Sequence, residues 1–139
     1  MNDATPYQLL GGEAGVRELV ERFYDHMDAE PAVKDVRALH AASLRASRDK
    51  LFLFLSGWLG GPDLYVERFG HPRLRQRHLP FAIDSRARDQ WMQCMQMALA
   101  DMAIDETLQT KLLAAFRATA DHMRNKADFE PHDDLPTGG

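Results

Sequence analysis

Residues 69–81 read Phe69-Gly70-His71-Pro72-Arg73-Leu74-Arg75-Gln76-Arg77-His78-Leu79-Pro80-Phe81, which sets two histidines and three arginines among apolar side chains. Imidazole is the side chain best suited to proton transfer and metal ligation near neutral pH. Guanidinium groups favour carboxylates and other anions. Pro72 suits the first turn of a short helix and Pro80 cannot continue one. His78 is therefore expected in a last turn, held between Leu74 and Phe81. The ordinary alternative is a surface histidine beside a solvated arginine face.

Several chemistries can be tested against the remaining residues. Tetrahedral zinc finds little support, because His26, His40, His71, His122 and His132 show no H-x-x-x-H spacing and the chain has a single cysteine. Ser43, Ser47, Ser56 and Ser85 stand in no nucleophile-elbow pattern, and Cys94 falls on the inner face of an expected helix. Gly60-Gly61 runs into Pro62 instead of opening a phosphate-binding helix. Haem suits the segment better. It needs one imidazole for iron, an apolar cavity for the porphyrin and cations for two propionates. On the residues alone, haem and the surface histidine both stand.

The elements that would position this segment are helical. Val16, Leu19, Val20, Phe23 and Met27 repeat at helical spacing after Gly11-Gly12 and a short segment around residues 6–10. Pro31 reopens the chain for a stretch reaching about His40. A second long helix is expected from near Ser43, with Leu44, Leu51, Leu55 and Trp58 inward, Ser47 and Phe54 on a flank, and Gly60-Gly61-Pro62 as its stop. Residues 62–83 read as irregular. Asp84 caps a third helix carrying Trp91, Met95, Ala98, Leu99 and Met102. Asp105 caps a fourth carrying Leu108, Leu112, Phe116 and Met123. No stretch alternates as a strand would. The fold class is all-α, with one domain over residues 1–127 and a frayed tail over 128–139.

Composition agrees. The chain has 139 residues, 45% hydrophobic and 27% charged, which excludes a disordered chain, a collagen repeat and a disulfide miniprotein. Seventeen basic against twenty-one acidic side chains give a net charge of −4, an unfavourable balance for binding nucleic acid. One cysteine gives no internal disulfide and no reason to expect an oxidising compartment. The start of the chain lacks the pattern of a signal peptide. The apolar run from Leu51 to Leu59 is far short of the roughly 20 residues that cross a bilayer. A cytoplasmic protein without a membrane partner is expected.

The sequence resembles the group II truncated haemoglobins over about residues 6–126. The resemblance is carried by Tyr7 with Leu10-Gly11-Gly12, Arg22-Phe23-Tyr24, Lys50-Leu51 through Phe54-Leu55 and Trp58-Leu59-Gly60-Gly61-Pro62. It continues through Gly70–Phe81, Arg88-Asp89-Gln90-Trp91 and Cys94-Met95. It implies a globin-like two-over-two helical sandwich binding haem b, with His78 as the proximal iron ligand. Arg77 would meet a propionate, Lys50 would reach the same edge, and Tyr65 is a further candidate there. Leu51, Phe54, Leu74, Phe81 and Trp91 would contact the porphyrin.

On the gas-binding side the family's tyrosine and tryptophan correspond to Tyr24 and Trp91, with Ser47 and Leu51 also lining the pocket. A phenol O–H and an indole N–H stabilise a ligand that gathers negative charge. His40 stands where relatives commonly carry Tyr or Phe. It would add a third hydrogen-bonding group or bind iron as a sixth ligand. Leu51 is apolar where some relatives have Gln.

The resemblance implies reversible binding of dioxygen and other diatomic gases with slow release. The alternative is an enzyme performing nitric oxide dioxygenation or peroxidase-like chemistry, which needs a separate reductase because the chain carries no reductase domain. A third reading is a helical interaction module that has lost haem; the set His78, Tyr24 and Trp91 argues against it. A homodimer is compatible with the class, although no exposed apolar stripe demands one.

Overall fold

The protein is described by a computed structural model over residues 4–71, residue 73 and residues 83–123. Within it the helices are α1 (Pro6–Leu9), α2 (Gly12–Ala29), α3 (Lys34–Ala38), α4 (Arg45–Trp58), α5 (Leu64–Phe69), α6 (Ser85–Asp101) and α7 (Glu106–His122), with a 3-10 turn at Pro31–Val33. No strand occurs among the described residues. The architecture is the two-over-two helical sandwich expected from the sequence. Helix α2 packs on both α4 and α6, and α6 packs on α7. The segments 72, 74–82 and 124–139 lie outside the described residues, and with them the expected helix ending at His78 and the expected tail over 128–139.

The amphipathic stripes explain the assembly. Val16, Leu19, Val20, Phe23 and Met27 of α2 are buried, as their spacing requires, against Met95, Ala98 and Leu99 of α6 in one continuous core. Leu108, Leu112 and Phe116 extend that core from α7. Asp84 accepts a hydrogen bond from the Ala87 N–H at 3.0 Å, and Asp105 accepts from Thr107 and Leu108 at 3.0 and 3.3 Å. Both caps stand where the sequence places them. Pro31 opens its turn at the first position.

Helix α4 departs from expectation in two ways. It starts at Arg45, and Ser43 makes only a local contact, accepting from the Arg45 N–H at 3.3 Å. Its most deeply buried residues are Phe52, Leu55, Ser56 and Leu59, while Leu51, Phe54 and Trp58 are half-buried. Phe52 belongs to the core, and the guanidinium of Arg17 from α2 lies 3.9 Å over its ring. Helix α4 thus carries two apolar stripes, and periodicity alone merges them. The buried Ser56 hydroxyl donates to the Pro62 carbonyl at 2.6 Å and so serves the turn that follows the helix.

The stretch expected to be irregular contains α5, where residues 64–69 set Tyr65 edge-on to Phe54 before Gly70 ends the turn at φ 82°. Between α4 and α5, Gly60 takes φ 99° and Gly61 lies under the ring of Tyr7, whose N–H donates to the Leu59 carbonyl at 2.9 Å. A Cβ on Gly61 would come within 2.4 Å of that ring. Gly61→Ala should therefore lower stability by about 1–3 kcal/mol, as overpacking does. A denaturation midpoint equal to the parent's would show that α1 yields freely.

Cys94 is fully buried on α6, and burial pushes its thiol up to about 12. Folded protein should resist thiol reagents at pH 8 and react at the rate of global unfolding, because the thiolate is the reactive form. Between the ordinary thiol value and about 12 the unfolded chain ionises this group and the folded chain does not, so rising pH favours unfolding there. Fast titration of the native thiol at pH 8 would contradict this account.

Candidate functional site

The structure brings Tyr24 and Trp91 onto Phe23, with His40 on the ring of Tyr24. The Phe23 ring lies edge-on to Tyr24 at 4.8 Å and to Trp91 at 5.0 Å between centroids, and the Tyr24 ring meets that of His40 at 5.9 Å. These side chains come from α2, the segment after α3, and α6. Tyr24 sits beside the buried stripe of α2, yet it is only 5% exposed. Its hydroxyl forms no hydrogen bond with any described residue. Burial drives the phenol well above the ordinary tyrosine range, with the nearby Arg48 cation pulling the other way, so it stays a protonated donor. Trp91 is half-buried against the core, and its indole N–H also has no partner among the described residues. A buried donor without an acceptor costs about 1–3 kcal/mol, a cost that a ligand accepting the hydrogen bond would relieve.

One hydrogen bond of His40 fixes its tautomer. Its Nδ1 lies 2.9 Å from the Val36 carbonyl, and because a carbonyl only accepts, Nδ1 carries the proton. In neutral His40 the other nitrogen, Nε2, is therefore an acceptor; it donates only when the ring is protonated. Val36 is held in turn. Its N–H donates to Gln90 Oε1 at 2.9 Å, while Gln90 Nε2 donates to Asp35 at 3.0 Å. Gln90, next to Trp91, thus ties α3 and the His40 anchor to α6. No spacing singles out Gln90, since its partners are backbone and side chain of a short helix 55 positions away.

Ser47, Lys50, Leu51, Phe54 and Trp58 run at i, i+3, i+4, i+7 and i+11 along the second stripe of α4. Leu51, Phe54 and Trp58 are half-buried apolar side chains set against the core, and Lys50 is exposed with no ion pair among the described residues. Tyr65 is buried, with its ring 6.3 Å from Phe54 and 4.9 Å from Phe69. Trp58 stacks on Phe116 at 4.7 Å, and Phe116 meets Trp91 at 5.9 Å, so α4, α6 and α7 share one aromatic wall. His78, Arg77, Leu74 and Phe81 lie outside the described residues. A separate cleft of about 540 Å³, between Pro6, Leu9, Trp58, Leu108 and Leu112, contains none of Tyr24, His40, Ser47, Leu51 or Trp91.

Against known proteins, the chain matches the family model described as "bacterial-like globin" over residues 5–125. It is 35% identical over 125 residues to the group 2 truncated hemoglobin YjbI of Bacillus subtilis, covering 90% of this chain and 92% of that one. The chain belongs to the bacterial-like globins, as a group II truncated haemoglobin.

Two solved truncated haemoglobins have the same fold. One, from the Antarctic marine bacterium Pseudoalteromonas haloplanktis, is 46% identical with a TM-score of 0.86, covering 88% of this chain and 99% of that one. Another, from the plant pathogen Agrobacterium tumefaciens, is 39% identical with a TM-score of 0.87, covering 91% and 98%. A truncated haemoglobin is a haem-binding globin, with haem iron as its cofactor. The residues present fit that group. The half-buried stripe of α4 and the aromatic wall suit a flat apolar macrocycle, and Lys50 on the same stripe is a cation with no ion pair among the described residues. No described helix of this globin is long and apolar enough to cross a membrane.

Proposed function

We propose that this truncated haemoglobin holds haem through His78, takes up dioxygen and other diatomic gases, and releases dioxygen slowly. Haem supplies an iron that binds a diatomic gas and places negative charge on dioxygen. The chain's own residues would then act as follows. Tyr24 donates its phenol O–H and Trp91 its indole N–H to the gas ligand. Leu51 and Phe54 exclude water from it, with Ser47 beside them. Lys50 and Arg77 neutralise propionates, with Tyr65 at the same edge. Leu74 and Phe81 complete the apolar surround of His78. His40, held through Nδ1 beside Tyr24, would add a third hydrogen-bonding group near the gas ligand or ligate iron when no gas is bound.

The observation that carries this reading is the buried Tyr24 hydroxyl, which has no partner among the described residues. Each charge-assisted hydrogen bond contributes about 1.5–3 kcal/mol, so two together favour capture or redox use over bulk delivery. A solved relative from Bacillus subtilis is described as an oxygen-avid truncated haemoglobin, which supports the same view. Absorption spectra of the ferric, ferrous and carbonyl forms, followed by stopped-flow displacement of dioxygen, provide the test. A Soret band with proximal-imidazole character and slow displacement are expected. A colourless protein that gains no Soret band with haemin would refute the proposal.

A further inference from the structure

Glu21 and Asp25 stand four residues apart on α2, on either side of Tyr24 in sequence, and both accept hydrogen bonds from one guanidinium on α4. Arg48 Nη2 donates to Asp25 at 2.9 Å, while Nη1 donates to the Glu21 carboxylate and, at 3.2 Å, to the Glu21 backbone carbonyl. The Arg48 side chain is only 21% exposed, and its guanidinium carbon lies 5.8 Å from the centre of the Tyr24 ring. Three acceptors spread over one turn of α2 hold the planar fork in a single orientation, which a lysine could not reproduce. Arg48 follows Ser47 and precedes Leu51 by three positions, so the clamp joins the turn that carries Tyr24 to the turn that carries two pocket residues.

We propose that Arg48 is a positioning residue for the gas-binding side, acting through Tyr24. By clamping α4 to α2 across Glu21 and Asp25, it sets the spacing between the Tyr24 phenol and the Ser47–Leu51 wall. It also places a positive charge beside the phenol ring. Both effects strengthen donation from the Tyr24 hydroxyl, the second because a nearby cation makes the phenol a better hydrogen-bond donor. An ordinary surface salt bridge would contribute little and leave gas kinetics untouched. The inference rests on the haem reading of the preceding section.

The test is a double-mutant cycle on haem-loaded protein, reading dioxygen dissociation by stopped flow and the C–O stretch of the carbonyl form. Arg48→Gln should speed dissociation between about threefold and tenfold, which corresponds to about 0.6–1.4 kcal/mol, and should shift or split the C–O stretch. In a Tyr24→Phe background the same substitution should change the rate by less than about twofold, the scatter of uncoupled sites. Arg48→Lys, which keeps the charge but cannot span both carboxylates, should fall between parent and Gln and serves if the Gln variant does not fold. Equal factors in both backgrounds, or an unmoved rate and stretch, overturn the inference alone. A preparation without a Soret band overturns the haem reading and the inference with it.

Discussion

His78→Gly should purify without haem and regain it when free imidazole is supplied. The direct ligand contributes more than the groups that merely orient ligands, whose loss already weakens metal binding 10–100-fold, so retention should fall by about 100-fold or more. Glycine removes the imidazole and leaves a space of its size, which is why free imidazole can substitute. The measurement is the ratio of Soret to protein absorbance, with and without imidazole, followed by the ferrous spectrum. Other histidines provide internal competitors. His71 lies seven residues upstream and is exposed, and its Nδ1 accepts from the Arg73 N–H at 3.1 Å. His40 is anchored to Val36 beside Tyr24. A glycine variant as red as the parent, with an unaltered five-coordinate ferrous spectrum, would move the proximal role to another side chain.

Tyr24→Phe and Trp91→Phe should each speed dioxygen dissociation by about tenfold or more. Loss of a charge-assisted hydrogen bond costs about 1.5–3 kcal/mol, and about 1.4 kcal/mol is a factor of ten. Phenylalanine at position 24 keeps the ring that meets Phe23 and His40 and deletes only the donor, so this variant isolates the hydrogen bond from packing. At position 91 the smaller ring also loosens contacts with Phe23 and Phe116, so some of its effect is steric. Carbon monoxide separates the two contributions. It gathers little charge, so its dissociation should change far less than that of dioxygen in Tyr24→Phe. Dioxygen rates unchanged in both variants would remove the hydrogen-bonding account and leave Tyr24 a buried phenol without a purpose.

Much of this was legible in the residues. The stripe from Val16 to Met27 is buried as its spacing demands, and the caps at Asp84 and Asp105 accept the hydrogen bonds expected of them. Tyr24 and Trp91 could be named from an ordered set of short motifs, and the fold places them about the same phenylalanine. Arg48 could have been suspected from Glu21 and Asp25, because two carboxylates four apart on a helix beside a buried phenol invite a cation. Gln90 left no such trace, because its hydrogen bonds go to a backbone N–H and a carboxylate on another helix.

Local chemistry along the chain was enough to determine the helical class and the turn at Gly60-Gly61, whereas the proposed pocket donors came from the family resemblance. The class and the turn follow from periodicity, backbone freedom and side-chain type, all properties of neighbouring residues. Tertiary structure alone decided which stripe of α4 lies against α2 and which stays half-open, that residues 64–69 coil against Phe54, and which nitrogen of His40 carries the proton. Those outcomes depend on atoms brought together from distant positions, where one carbonyl or one guanidinium selects among states that the local sequence leaves equal.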